Sequence, residues 1–255
     1  MHGKIISVAN QKGGVGKTTT AINLSASLAV AEKKILVIDI DPQGNSSSGL
    51  SFQNTQPSIY DLLISQVKFS DTIVKDVIPY LDLIPATIDL VGAEVELLEM
   101  EKREFVLKER LKEARSKYDY VFIDCPPTLG ILTLNALTAS DSVLIPVQCE
   151  YFALEGLGQL LNSIKLVKDR FNKHLTIEGV LLTMYDSRLK LSELVAEEVR
   201  KYFEDKVYKT KIHRNVRVSE SPSFGKPVLM YDALSSGAKN YIELAQEFLR
   251  RNNKK

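Results

Sequence analysis

A glycine-rich loop between a strand pattern and a helix pattern limits the possible folds of this chain more than any other feature. Residues 5–10 are β-rich, residues 12–19 read KGGVGKTT, and residues 20–30 have the apolar periodicity of a helix. Glycines tolerate positive φ and have no Cβ, so successive backbone N–H groups can turn toward one anion. The helix start adds free N–H groups and the positive end of its dipole. This order of elements predicts a phosphate-binding loop.

Two side chains of the loop have the chemistry of a nucleoside triphosphate site. Lys17 can reach the β- and γ-phosphates, and the Thr18 hydroxyl can ligate Mg²⁺. The loop departs from the G-x-x-x-x-G-K-[ST] template, because Gln11 replaces the first glycine and a second lysine, Lys12, opens the loop. Lys12 is either a solvated loop charge or a group that reaches a nucleotide held by another subunit. The predicted nucleotide ligands of the loop are Lys12, Gly13, Gly14, Val15, Gly16, Lys17, Thr18 and Thr19.

Acidic residues close two further apolar segments. Asp39 and Asp41 end the segment that starts at Lys34, and Asp124 ends residues 120–124. Ligands of open α/β sheets bind beyond the carboxyl ends of the strands, so these carboxylates should lie near the phosphates. We predict that Asp124 holds Mg²⁺ through a water, that Asp41 orients the attacking water and that Asp39 supports the metal from its outer shell. Any one of them alone could be a strand-end cap. The predicted metal set is Thr18, Asp41 and Asp124, and the predicted catalytic set is Lys12, Lys17, Asp41 and Asp124.

Strand-like and helix-like segments alternate along the whole chain. Strands are predicted at residues 5–10, 34–39, 81–84, 120–124, 142–147 and 177–183, and helices at 20–30, 89–116 (with a break near Glu101), 154–171, 191–204 and 237–251. Residues 42–49 are predicted to form a polar loop. This alternation is typical of an α/β protein with a mostly parallel sheet flanked by helices. A length of 255 residues fits one domain, 1–255, with a deviant P-loop NTPase fold.

Composition indicates the cellular compartment of the protein and the class of partner that it binds. No apolar run is long enough for a membrane span, and the first residues lack the pattern of a signal peptide, so a cytoplasmic protein is expected. The two cysteines, Cys125 and Cys149, fit a reducing compartment. Net charge is only +1, but residues 151–255 hold 19 basic and 13 acidic residues, and residues 1–150 hold 14 and 19. Such asymmetry indicates nucleic acid or another anionic surface as a partner.

Basic residues cluster in two places in the second half. One cluster comprises Lys206, Lys209, Lys211, Arg214 and Arg217, and a smaller one comprises Arg188 and Lys190. Such sets bind DNA phosphates without reading sequence, and no helix-turn-helix, zinc or RNA-recognition signature accompanies them. The alternative is a solvated basic edge. The amphipathic segment 241–251 is expected to pack on the sheet, because Glu243 and Glu247 disfavour an anionic membrane, so no stable membrane association is expected.

These motifs, taken together, resemble the deviant Walker motifs of the ParA/Soj chromosome-partitioning ATPases. The resemblance rests on residues 10–20, 39–45 (DIDPQGN), 124–127 (DCPP), 146–156, 214–220 and 225–227. It covers nearly the whole chain, and the order of the motifs is preserved.

The resemblance implies a homodimer that forms on ATP binding, in which Lys12 reaches the partner's phosphates and Asp41 positions the hydrolytic water. It also implies nonspecific binding of double-stranded DNA by the ATP-bound dimer, hence association with the nucleoid, and stimulation by a ParB-type centromere-binding protein. The implied DNA-binding residues are Arg188, Lys190, Lys211, Arg214 and Arg217. The base would lie near His213 and Asn215. The family commonly has proline where His213 stands, which leaves that contact open, whereas Asn215 matches.

Three other classes share parts of the pattern. A membrane-cycling ATPase similar to the MinD division-site regulators shares the loop but needs a C-terminal membrane-targeting helix. A dinucleotide-dependent oxidoreductase would use Gly14, Gly16 and Asp39, but Thr19 occupies the place of its third glycine. An iron–sulfur ATPase would pool Cys125 and Cys149 across a dimer, although free cysteines are more often small buried residues.

Overall fold

The computed structural model describes residues 3–52, 57–65, 67–150 and 153–253. Within these residues seven strands form one sheet. They are β1 (Lys4–Val8), β2 (Ile35–Asp39), β3 (Val74–Ile78), β4 (Leu81–Ile84), β5 (Tyr120–Asp124), β6 (Ser142–Gln148) and β7 (Thr176–Thr183). Their order is β3-β4-β2-β5-β1-β6-β7, and every neighbouring pair is parallel except β3 and β4. The predicted α/β class with a mostly parallel sheet is confirmed.

Helices cover both faces of this sheet. In the described ranges they are α1 (Lys17–Val30), α2 (Asn45–Gly49), α3 (Ile59–Ile64), α4 (Leu90–Glu96), α5 (Val106–Arg110), α6 (Ala114–Lys117), α7 (Ile131–Ala139), α8 (Ala153–Arg170), α9 (Lys190–Phe203), α10 (Val216–Glu220), α11 (Val228–Tyr231) and α12 (Ser236–Asn252). Alternate residues of a strand enter opposite cores. In β2, Leu36 and Ile38 face the core with α3 to α9, whereas Ile35 and Val37 face the core with α1 and α12. Burial on both faces explains why this strand is an unbroken apolar run.

The C-terminal helix α12 packs its apolar side on the sheet, as the sequence predicts. Tyr241, Leu244 and Phe248 are buried in the core that also contains α1. The ring of Phe248 contacts the rings of Tyr120 and Phe122 on β5, at centroid distances of 5.0 and 5.8 Å. Over the residues that the structure describes, no helix combines the length and the apolar character needed to cross a bilayer.

Four predicted segments differ from the structure. The first strand stops at Val8, and helix α1 begins at Lys17 rather than at residue 20. Residues 42–49 are not all loop, because Gly44 adopts the left-handed conformation (φ 63°) and starts the short helix α2. Residues 89–116 divide into α4, α5 and α6 with two short 3₁₀ turns, where Lys102 also has positive φ (54°).

Candidate nucleotide-binding site

The glycine loop lies directly beyond the interior strand β1 and is held by the two strands on one side of it, β6 and β7. Asn10 donates from Nδ2 to the carbonyl of Pro146 on β6 (2.7 Å) and accepts from the N–H of Lys12 (3.0 Å). On β7, Thr183 donates its hydroxyl to the carbonyl of Val15 (2.8 Å). Two hydrogen bonds therefore anchor the loop to β6 and β7, and a third lies within the loop itself.

Two glycines give the loop its shape. Gly14 (φ 73°) and Gly16 (φ 88°) are in the left-handed region, and Gly16 is the N-cap of α1. A Cβ built on Gly13 or Gly14 would meet no atom within 4 Å, so the outer side of the loop is open. Thr18 and Thr19 lie in the first turn of α1 and are partly exposed. The open side of the loop and the free N–H groups of the helix start are the features of a phosphate-binding site.

Lys17 is the first residue of α1 and is buried. Its Nζ donates to the carbonyl of Lys12 across the loop (3.2 Å). Burial lowers the pKa of Lys17, and the carboxylates of Asp124 and Asp41 act in the opposite direction. A buried ammonium group with one carbonyl partner retains donors for an anion, and a phosphate in the loop would restore its preference for the charged form.

Asp39 and Asp124 are neighbours in register at the carboxyl ends of β2 and β5. Asp124 is fully buried, and its Oδ2 accepts from the Ser46 hydroxyl (2.8 Å). Its Oδ1 has no hydrogen-bond partner among the described residues. Burial, and next the nearby charge of Asp39, raises the pKa of Asp124, with the Thr18 and Ser46 hydroxyls acting in the opposite direction. An orphaned carboxylate oxygen beside a threonine fits a divalent cation or one of its waters.

Asp39 is engaged in joining chain segments. Its Oδ2 accepts from both the backbone N–H and the hydroxyl of Ser47 (2.8 and 2.7 Å). The Ser47 hydroxyl oxygen also accepts from the N–H of Ala86, just beyond β4 (2.9 Å). Burial is the main cause that raises the pKa of Asp39. Through Ser47, this carboxyl group connects the end of β2, helix α2 and the end of β4.

Asp41 lies two residues beyond Asp39, and its carboxylate, like that of Asp124, accepts one hydrogen bond among the described residues. Its Oδ1 accepts from the N–H of Gln43 (3.0 Å), and its carbonyl accepts from the N–H of Gly44 (2.9 Å). The side chain is mostly buried, close enough to Lys17 to affect the pKa of that lysine. Asp41 therefore lies in the turn that leads into α2, on the same side of the sheet as the loop.

Lys12 contacts a residue for which no role was predicted. Its Nζ lies 3.6 Å from Oε2 of Glu150, which follows β6. The other oxygen of Glu150 lies 3.8 Å from the guanidinium of Arg214. All three side chains are partly exposed, so each ion pair is weak. No sequence signal identifies this contact, because positions 12, 150 and 214 are brought together only by the fold.

The residues predicted near the base have structural partners. Asn215 is the N-cap of α10: its Oδ1 accepts from the N–H of Val218 (3.2 Å) and its Nδ2 donates to the Ser236 hydroxyl (2.8 Å). His213 packs its ring edge-on against Tyr185, at a centroid distance of 5.4 Å. These contacts fix the position of the segment that contains both residues.

The predicted basic residues divide into two groups. A bridge between Tyr185 and His213 aligns the loop after β7 with the segment before α10. Arg188 binds Asp186 there (2.7 Å) and lowers the pKa of that carboxyl group to about 2, and the Lys211 ammonium stacks on the Tyr185 ring (3.6 Å). The first group, around this bridge, is Arg188, Lys211 and Arg214, with the exposed Lys190 at the start of α9.

Arg217 forms the second group. It lies on α10 and is paired with Glu220 (3.1 Å) and Asp232 (3.3 Å), so two carboxylates balance its charge. Four of the five predicted DNA-binding residues therefore lie at or next to this bridge, and Arg217 differs from Arg214 in being paired with two carboxylates.

A parallel sheet with a strand–glycine loop–helix unit, a buried loop lysine and two acidic strand ends defines a P-loop NTPase of the deviant Walker type. Comparison with known proteins agrees with this assignment. Residues 3–177 match a family model described as an AAA domain. The sporulation initiation inhibitor protein Soj of Bacillus subtilis is 57% identical over 96% of this chain and 98% of its own. The chromosome partitioning protein ParA of Myxococcus xanthus is 52% identical over 99% of this chain and 90% of its own.

Solved structures show the same fold. Cobyrinic acid a,c-diamide synthase from Mycobacterium smegmatis, with bound ADP and magnesium, has a TM-score of 0.85 and 37% identity, covering 98% of this chain and 96% of that one. The chain belongs to the Soj/ParA family of chromosome-partitioning ATPases.

Proposed function

We propose that this chain is an ATP-dependent switch for DNA segregation. Two copies trap ATP between them, the closed dimer binds DNA without reading its sequence, and hydrolysis releases the DNA. The observation that carries the proposal is the position of Lys12. The loop already holds one buried lysine for its own phosphates, whereas Lys12 lies at the loop opening with Glu150 as its ion-pair partner. A second lysine in this place is suited to another subunit's nucleotide.

The residues present fit ATP and Mg²⁺. Thr18 and Asp124 would hold the ion, with Asp41 close by, because one buried oxygen of Asp124 has no hydrogen-bond partner in the described part of the chain. Mg²⁺, when bound, would neutralise charge on the phosphate oxygens. A solved neighbour 37% identical to this chain binds ADP with magnesium, and the same protein has been solved with an ATP analogue and magnesium.

Each predicted catalytic residue has a distinct task in this proposal. Lys17 contributes positive charge to the phosphates from the base of the loop, and Lys12 does so from the partner subunit. Asp41 accepts a hydrogen bond from the attacking water and orients it. The loops after Asp41 and Asp124 would contact the γ-phosphate and lose those contacts after hydrolysis. The whole chain would act as one domain.

DNA would be held by the basic group around the Tyr185–His213 bridge. Exposed lysine and arginine side chains bind backbone phosphates and provide no base reading. Glu150 connects this group to Lys12 through Arg214. Nucleotide exchange and DNA affinity would therefore be coupled across a short distance. A ParB-type protein is the proposed partner, because the named relatives at 57% and 52% identity include a chromosome partitioning protein and its Soj counterpart.

The membrane-cycling alternative lacks support in the described residues. Its amphipathic C-terminal helix would need a free apolar side. In α12 the side that contains Tyr241, Leu244 and Phe248 is buried against the sheet. The structural likeness to a MinD protein of Pyrococcus furiosus, at 26% identity and a TM-score of 0.81, concerns the fold shared by both classes.

DNA binding measured with ATP, with ADP and without nucleotide over a salt series tests the proposed function. We expect retention of a random-sequence duplex only with ATP, falling steeply as salt rises, because bound cations are released from DNA. The double variant Arg188→Glu/Arg214→Glu should weaken binding at least about tenfold and keep its ATP turnover without DNA. Arg250→Glu, on α12, is the matched control. Equal binding in all three nucleotide states would refute the switch, and normal retention by the double variant would refute the basic group.

Glu150 offers a second test of the coupling. Replacing Glu150 with glutamine removes the carboxylate that pairs with both Lys12 and Arg214. We expect the ATP concentration for half-maximal dimerisation to fall by about two- to fivefold, since exposed ion pairs contribute less than about 1 kcal/mol. Analytical ultracentrifugation across an ATP titration measures the change, and Glu198→Gln, at an exposed pair on α9, is the control. A variant that needs more ATP than the unaltered protein would contradict this role.

A further inference from the structure

Helix α4 has an apolar face on its solvent side as well as on its core side. Leu90, Ala93 and Leu97 are buried against the sheet. On the other side stand four exposed apolar side chains, called here the α4 stripe: Ile88 (71% exposed), Val91 (51%), Val95 (65%) and Leu98 (53%). At about 100° per residue these four fall within an arc of roughly 80°, along the helix and the turn on either side of it.

Such an arrangement is unusual for a surface helix. Surface helices of globular proteins normally present polar residues to water, and an exposed contiguous apolar patch marks an interaction site. Single exposed apolar residues are ordinary, but a spacing of three, four and three residues makes a continuous ridge. In the part of the chain that the structure describes, no other segment covers this ridge.

The chain around the α4 stripe is rich in carboxylates, and one cation also reaches it, because the Arg103 guanidinium donates to the carbonyl of Leu98 (2.9 Å). Residues 76–101 contain seven carboxylates and no lysine, arginine or histidine, although the whole chain has a net charge of +1. Glu94 and Glu99 flank the stripe on its two sides. Glu94 and Glu99 favour a partner surface that brings positive charge, and they disfavour anionic lipid.

The stripe also adjoins both loops that are proposed to sense the γ-phosphate. Ile88 follows Ala86 by two residues, and the N–H of Ala86 binds the Ser47 hydroxyl held by Asp39. At the other loop, a Cβ built on Gly130 would lie 2.9 Å from Oε1 of Glu94, so the Glu94 side chain rests against the start of α7. A protein bound to α4 would therefore lie next to a segment that is hydrogen-bonded to α2 and next to the loop that follows Asp124.

We propose that the α4 stripe is the docking surface for a basic amphipathic segment of a partner protein. Its apolar side chains would cover Val91 and Val95, and its lysines or arginines would pair with Glu94 and Glu99. The regulatory part of this inference rests on the proposed function, because it assigns nucleotide sensing to the neighbouring loops. Helix-in-groove and helix-on-helix recognition use this combination of apolar anchors and charged flanks.

The probe is a synthetic peptide of about 15 residues with leucine at helical i, i+3 and i+4 spacing and lysine or arginine elsewhere. We expect saturable binding to the full chain by fluorescence anisotropy, weaker at high salt, and no binding of the analogue that carries glutamate in place of the basic residues. The double variant Val91→Gln/Val95→Gln should weaken binding at least about tenfold. Leu166→Gln, at an exposed leucine on α8, should bind normally.

Several results would overturn the inference. One is that the basic peptide fails to bind, or that it binds the double variant as well as it binds the unaltered chain. Another is that the double variant loses ATP-dependent dimerisation, which would make a second copy the occupant of the stripe. A third is that the stripe binds phosphatidylcholine vesicles in preference to the peptide. The peptide should also change the ATP turnover of the unaltered protein and leave that of the double variant unchanged. Peptide binding needs no DNA. Failure of ATP-dependent DNA binding would therefore refute the proposed function and leave the inference about the docking surface standing.

Discussion

Replacing Asp41 with alanine is expected to lower ATP turnover by at least about a hundredfold while nucleotide affinity stays close to that of the unaltered protein. Of the three carboxylates near the loop, Asp39 is occupied by Ser47, and Asp124 is bound by Ser46 and suited to the metal. Asp41 accepts one backbone hydrogen bond, on one oxygen. It is thus the carboxylate best able to hold a water.

Single-turnover release of phosphate, together with an equilibrium titration of ATP, separates chemistry from binding. Asp89→Ala is the matched control, because Asp89 is an exposed acid at the start of α4. Removal of Asp41 should also prolong the ATP-bound dimer, since the step that opens it would be slow. Turnover equal to that of the unaltered protein would remove Asp41 from the mechanism.

The variant Lys12→Ala is expected to bind ATP and to fail to dimerise. In the closed dimer the ammonium group would lie in a dry interface against the partner's phosphates, where a close charge pair contributes about 2 to 5 kcal/mol. Loss of such a pair corresponds to a shift of at least about thirtyfold in the protein concentration for half-dimerisation.

Sedimentation with a non-hydrolysable ATP analogue measures this shift. Lys239→Ala, at an exposed lysine of α12, controls for the loss of one positive charge. A dimer of normal stability in the Lys12 variant would show that Lys12 is a solvated loop charge with no role in dimerisation. DNA retention should be lost together with the dimer, so a monomer that holds DNA with ATP would contradict the order of events proposed above.

The parallel strands were predictable because burial on both faces requires apolar residues at consecutive positions. A strand with helices on both faces has no polar side, so β2, β5 and β6 appear as unbroken apolar runs. Strand β3 was not predicted. It is an edge strand that pairs antiparallel with β4, four of its five residues are partly or fully exposed, and Lys75 and Asp76 interrupt its apolar pattern.

The phosphate loop was predictable for a related reason, because its whole geometry lies within one short stretch of sequence. The roles of the acidic residues were harder to separate. Asp39 and Asp41 are two positions apart, and only the tertiary contacts show that Asp39 is bound to Ser47. Contacts between distant segments, such as Glu150 with Lys12 and Ser46 with Asp124, leave no local pattern at all.

The ion-pair partners of the basic residues could not be predicted from the sequence. Sequence alone treats Arg214 and Arg217 as equal members of one cluster. In the fold, Arg217 is paired with Glu220 and Asp232, whereas Arg214 has one weak contact to Glu150. Which of two neighbouring arginines is available to an external anion depends on acids that approach from other elements, and those cannot be identified before the fold is known.

The place of β1 in the sheet has a consequence for how the protein is made. This strand is hydrogen-bonded to β5 and β6, and its first residue, Lys4, pairs with Tyr120, 116 positions later. At about 5 to 20 residues per second, a ribosome needs roughly 6 to 23 seconds to synthesise that interval. During that time the nascent strand β1 lacks both neighbours, β5 and β6, and the glycine loop lacks the strand to which Asn10 is hydrogen-bonded. ATP therefore has no assembled loop to stabilise by binding during this interval, and chaperones can bind the exposed strand until β5 is complete.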